Sequence, residues 1–189
     1  MAHSGIFKEN TWALILGASS GFGGATALEL AKRGMNIIGV HLDRAATMPN
    51  VEQITTGIKA HGVRSLFYNV NASDSTKRNE VLDAVHKEFA HAKGSTIRTL
   101  FHSLAFGTLK PYIGKTVEEM MSQPQMEMTL DVMANSLVYW TQGVFARGLM
   151  AKGGRVFAMT SSGGRSVLPN YGAVSAAKSA LESHIRQLA

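Results

Sequence analysis

The chain has 189 residues, 45% hydrophobic and 17% charged, a balance that suits one globular domain with a real core and excludes a disordered chain. It holds no cysteine, which excludes disulfides, thiolate nucleophiles and cysteine-ligated metals and points to the cytoplasm. The net charge is +6, but Lys and Arg are scattered without interleaved aromatics, so an acidic carrier or a phosphate-bearing cofactor is the expected partner, and neither nucleic acid nor membrane is.

Met1–Asn10 lacks the apolar core of a secretory signal. Beyond it, strands and helices alternate. Thr11–Leu16 is a short apolar run ending at Gly17 and predicts a buried strand. Residues 24–33 predict a helix stopped by Gly34, and Asn36–His41 a second strand. A helix follows over 51–61, a strand over 64–70, a helix over 76–91 and a strand over 96–103. Residues 104–125 read as a long irregular stretch, the position of a site lid. A long helix over 126–150, a strand over 154–160 and a helix from Tyr171 to the end complete the pattern. Alternating β and α elements with continuously apolar strands predict a doubly wound parallel sheet, Rossmann-like, in three α/β/α layers, as a single domain over 1–189. Ligands of such sheets bind at the carboxyl ends of the strands.

Gly17-Ala18-Ser19-Ser20-Gly21-Phe22-Gly23 joins the first strand to the first helix. Glycines there allow a sharp turn and close approach of a pyrophosphate, whose charge the helix N-terminus favours. Gly17, Ser19, Ser20, Gly21, Phe22 and Gly23 are therefore candidate cofactor-binding residues. Tyr171 and Lys178, in a predicted helix, are two turns apart, about 10 Å along the axis and on one face. A phenol can hydrogen-bond or protonate the oxygen that becomes negative in hydride transfer, and an ammonium favours that charge. A surface Lys and a half-buried Tyr of an amphipathic helix would look the same in isolation.

The spacing G-x3-G-x-G at the first turn resembles that of the short-chain dehydrogenase/reductase family. Most of that family has Tyr-x3-Lys, whose Tyr would fall at Val174. This chain has Tyr-x6-Lys, which resembles the enoyl-acyl-carrier-protein reductase branch. His102-Ser103-Leu104-Ala105-Phe106-Gly107 and the segment from Leu168 through Tyr171 to Glu182 are similar to that branch too. The resemblance implies reduction of an enoyl thioester, with hydride added to its β-carbon, Tyr171 holding the enolate and Lys178 binding the cofactor ribose. It places Ser103, Leu104 and Ala105 at the cofactor, His102 as shaping its pocket, and Asn69 and Val70 beside the adenine.

Ser161 departs from the best-known enoyl reductases, which carry a second Tyr there. Its hydroxyl suits a substrate carbonyl and keeps a ketone or alcohol dehydrogenase as the alternative. Met133 stands where the carbonyl-reducing majority has Asn, which favours the enoyl branch. At the end of the second strand His41 occupies the usual acidic position and Arg44 follows, so NADP is expected over NAD. The histidines show no metal-ligand spacing, and no metal is expected. Family members continue past the position of Ala189, so the resemblance implies a chain truncated at its C-terminus, with the last strands missing. A cofactor-binding pseudoenzyme of low solubility and little turnover is then a second alternative. It also implies a homo-oligomer, a dimer or tetramer, paired through the last two long helices, where Ala173, Ala176, Ala177 and Ala180 suit close packing.

Overall fold

The strand Thr11–Leu16 (β1) is buried at every position, and so is Asn36–His41 (β2). Runs without polar alternation belong to strands covered on both faces. β1 pairs in parallel with β2 and with Thr96–His102 (β4), and β2 with Ser65–Asn69 (β3). With Arg155–Ala158 (β5) they form one parallel sheet in the order β3-β2-β1-β4-β5. The expected doubly wound, Rossmann-like fold is therefore the observed one. The order reverses between β1 and β4, the switch point at which such sheets open a crevice at the strand ends. The computed structural model describes residues 6–189; part of the reading of Met1–Asn10 lies outside them.

The helices are Gly21–Lys32 (α1), Met48–Ala60 (α2), Ser75–His91 (α3), Gln123–Leu130 (α4), Ser136–Ala146 (α5) and Gly172–Leu188 (α6). Several bounds differ from the sequence reading. α1 begins at Gly21, not residue 24, with Ser20 extended at the N-cap. α2 begins at Met48, not 51: a 3-10 turn over Ala45–Thr47 leads into it, and Pro49 lies in its first turn, where a missing N–H costs nothing. The expected helix over 126–150 is three pieces. A capping box of Ser122 and Gln125 starts it early, at Gln123. A π-helical stretch, Asp131–Asn135, interrupts it. Thr129 Oγ1 donates to the Gln125 carbonyl and Ser136 Oγ to that of Val132, and such hydroxyls compete with the backbone ladder on either side of the interruption. It ends at Ala146 because Gly148, at φ 62, takes the left-handed cap, with Leu149 N bonded back to Val144 O. β5 is shorter than the expected 154–160, since Ser161 caps a 3-10 turn over Ser162–Gly164.

The chain forms two compact units. The first runs to Ser103 and resumes over Thr141–Phe157; the second comprises Leu104–Trp140 and Ala158–Ala189. In the first, Ala13, Ile15, Ala27, Ala31, Ile37 and Ile58 form one buried cluster where α1 and α2 lie on the sheet. In the second, α6 buries Ala173, Val174, Ala177, Lys178 and Leu181, the spacing of one helix face, and packs on α4 and the π-helical stretch. Among the described residues no helix is long and apolar enough to cross a membrane.

Candidate functional site

In the first unit the glycine loop is built for close approach. Gly17 and Gly21 have φ of 87 and 51, the left-handed region that glycine enters freely. Gly17 N and Ala18 N both donate to Val40 O, at 2.8 and 3.1 Å, so β2 holds the start of the loop. A Cβ at Gly23 would run into the Gly17 carbonyl; only glycine lets α1 start this close beneath the turn. The first N–H groups of α1, from Gly21, Phe22 and Gly23, lack partners within the helix, as at every helix start. The Ser20 side chain makes no capping bond and is exposed, as are Gly21 and Phe22. The loop thus offers backbone donors, a hydroxyl and the positive end of a helix dipole, a cradle that fits a pyrophosphate.

Further candidate residues follow the strand ends. Ser103 follows β4, and its N–H donates to Leu16 O at 2.9 Å; Leu104 and Ala105 come next in the chain, in the second unit. His41 is buried, with Nδ1 2.9 Å from Asp43 Oδ2. Its ring therefore orients Asp43 from the interior and does not itself stand open to a ribose. Asp43 is held on all sides. Asn69 Oδ1 accepts from its N–H and Asn69 Nδ2 donates to its carbonyl, both at 2.9 Å. Burial alone would raise the Asp43 carboxyl, but hydrogen bonds from Ser19, Thr47 and His41 outweigh it and hold it below its ordinary value. Val70 N donates to His41 O at 2.7 Å, so Asn69 and Val70 both secure the end of β2. Arg44 is exposed.

In the second unit Tyr171 stands as the N-cap of α6, one residue before the helix. Asn170 before it takes the left-handed φ of 59, so the chain turns sharply into the helix at Tyr171. The phenol donates to Ser161 Oγ at 3.2 Å, and that oxygen also accepts from Gly163 N at 3.1 Å. With both bonds accepted, the Ser161 proton remains to be donated elsewhere. Lys178 is buried on α6, and its ammonium donates to the Met159 carbonyl at 2.7 Å. Burial pushes its pKa down. The structure thus joins Tyr171, Ser161 and Lys178 around one turn after β5.

The sequence reading assigned no role to three residues that shape these sites. Asp43 brings a carboxylate to the end of β2, beside His41. Gly163 leaves room for the Tyr171 ring: a Cβ there would lie 2.7 Å from Tyr171 Cδ1 and nearer still to Cε1. Glu182 accepts from Thr160 Oγ1 at 2.7 Å, next to Ser161. The glycine pair Gly163-Gly164 was the available signal for a crowded turn; the other two depend on contacts distant in sequence.

A parallel sheet with this strand order, a glycine turn at the first βα junction and a Tyr–Ser–Lys group after β5 define a short-chain dehydrogenase/reductase fold. A family model described as Enoyl-(Acyl carrier protein) reductase matches residues 17–189, and the chain belongs to that family. It is 26% identical over 183 residues to the NADPH-dependent aldehyde reductase-like protein, chloroplastic, of Arabidopsis thaliana, covering 94% of this chain and 65% of that one. Among solved structures it resembles the enoyl-(acyl-carrier-protein) reductase of Anaplasma phagocytophilum in complex with NAD, with TM-score 0.76, 19% identity, and 100% and 68% of the two chains covered. It resembles the acetoin dehydrogenase of Enterobacter cloacae equally, with TM-score 0.77, 21% identity, and 95% and 66% covered. The chain spans less than two thirds of the length of the curated relatives it matches.

Proposed function

We propose that this chain carries the cofactor and proton-handling residues of an NADPH-dependent reductase that saturates the 2,3 double bond of an enoyl thioester, free or bound to a carrier. The observation that carries the reading is the group at the turn after β5: the Tyr171 phenol bonded to Ser161 at 3.2 Å, with the buried Lys178 ammonium, from α6, bonded to the Met159 carbonyl beside it. The nicotinamide, when bound, supplies a hydride to the β-carbon of the thioester. The electron pair of the double bond then shifts to the thioester oxygen. Tyr171 stabilises that enolate oxygen by turning its one phenolic hydrogen bond from Ser161 Oγ to it, and Ser161 has a proton to donate to it as well. Lys178, poorly solvated, favours negative charge nearby and serves the ribose hydroxyls. Protonation at the α-carbon, by a proton taken from solvent, completes the saturated product.

The glycine loop and the N-terminus of α1 hold the pyrophosphate. Asp43 is already committed to Ser19, Thr47 and His41 and has a side chain only 10% exposed, so it presents little carboxylate to a ribose. Arg44 is exposed, which favours the additional phosphate of NADP. We also propose a homo-oligomer. Because the Tyr171–Ser161 pair suits a carbonyl substrate as well, ketone reduction is the second reading, and the resemblance to an acetoin dehydrogenase agrees with it.

Steady-state assays with crotonyl thioester and acetoacetyl thioester, each with NADPH and NADH, test the proposal. Turnover of the enoyl substrate with NADPH, lost in Tyr171→Phe while cofactor binding persists, is the expected result. Turnover of acetoacetyl thioester alone, or full activity of Tyr171→Phe, overturns it.

A further inference from the structure

The turn from Met159 to Arg165 is attached to one face of α6 at four points. Lys178 Nζ donates to Met159 O at 2.7 Å and Ser179 Oγ to Gly164 O at 2.9 Å. Glu182, one helical turn beyond Lys178, makes the other two: Oε1 accepts from Thr160 Oγ1 at 2.7 Å, and Oε2 lies 3.5 Å from Arg165 Nη2. One carboxylate thus spans both flanks of Ser161–Gly164. Ser161 follows Thr160 directly and is extended, with φ -147 and ψ 147, so where Thr160 is held sets the backbone from which the Ser161 hydroxyl projects. That hydroxyl must sit where both the Tyr171 phenol and Gly163 N reach it, at 3.2 and 3.1 Å. The Thr160 bond comes first among the influences that lower the Glu182 carboxyl, so the clamp stays ionised and in place at neutral pH.

We propose that Glu182 is a positioning residue, which through Thr160 and Arg165 sets the Ser161 hydroxyl against the Tyr171 phenol. This rests on the reading of Tyr171 and Ser161 as the oxygen-binding pair, and it adds a residue that reaches the reaction only through them. A group that tunes geometry by a fraction of an ångström changes turnover and not cofactor affinity.

The test uses the full chain. Glu182→Ala and Thr160→Val should each lower kcat with crotonyl thioester by about tenfold, while the NADPH dissociation constant, read by fluorescence titration, stays within about twofold. Glu182→Gln, which keeps an acceptor for Thr160, should restore most of the rate. In a Ser161→Ala background, Glu182→Ala should cost nothing further, because two residues acting through one contact are not additive. The Tyr171 phenol is followed separately by ultraviolet difference titration against Tyr171→Phe. Thr160→Val changes no charge, and it should move that titration in the same direction as Ser161→Ala. An equal loss of rate from Glu182→Ala with and without Ser161, or a phenol titration unmoved by Thr160→Val, overturns the proposal. Full activity of Tyr171→Phe instead overturns the reading of the reaction, and the titration still reports on the clamp.

Discussion

Replacing Gly163 by Ala isolates how closely the Tyr171 ring depends on one missing methyl. Gly163 is outside the left-handed region, so Ala can adopt its backbone and the effect is purely steric. The new Cβ would lie 2.7 Å from Tyr171 Cδ1, where carbon atoms settle at about 3.5–4.0 Å. The ring must retreat by about 1 Å. The phenol now stands 3.2 Å from Ser161 Oγ, so that movement carries the pair beyond hydrogen-bond reach. A displacement of about 1 Å costs on the order of 100-fold in turnover, and overpacking of this kind costs about 1–3 kcal/mol of stability. Gly164 is the internal control: a Cβ there meets Lys178 Cβ at 3.5 Å, an ordinary contact. Measured by NADPH oxidation with crotonyl thioester alongside thermal melts, Gly163→Ala should lose about two orders of magnitude in kcat and Gly164→Ala little. Equal activity in the two variants, with Gly163→Ala near the parent rate, would refute the argument.

Three further outcomes follow from the first unit. Gly23→Ala drives a Cβ into the Gly17 carbonyl, a backbone atom that cannot swing aside; NADPH affinity should fall by at least about tenfold in fluorescence titration, with a lower melting temperature. Arg44→Ala should weaken NADPH binding by about tenfold or more and leave NADH unchanged, since one charge-assisted contact to the phosphate is lost; equal losses for the two cofactors would contradict the placement. Asp43 has a folded pKa below its ordinary 3.8, so its stabilising contribution is complete above that value and disappears as pH falls through the folded one. Asp43→Asn should therefore flatten the acid limb of melting temperature against pH below about pH 4, and an unchanged limb would show that the bonds to Ser19, Thr47 and His41 contribute nothing.

Much of the fold was legible without coordinates, because local chemistry decides it. Continuous apolar runs gave β1 and β2, helix stops fell at glycines such as Gly34, and the alternation of strand and helix implied a parallel sheet. The helix over 126–150 was misjudged because its apolar periodicity persists through the π-helical stretch; the hydroxyls of Thr129 and Ser136, which compete for carbonyls there, leave no mark on the pattern.

The amino-acid sequence by itself determined the glycine turn, the seven-residue spacing of Tyr171 and Lys178 and the family resemblance, since each depends on residue type at short, fixed spacing. Only the tertiary structure decided that His41 faces inward and holds Asp43, that Gly163 makes room for the phenol, and that Glu182 grips both flanks of Ser161. Those arrangements join residues from separate elements, and their distances follow from how the backbone packs, which no local periodicity encodes.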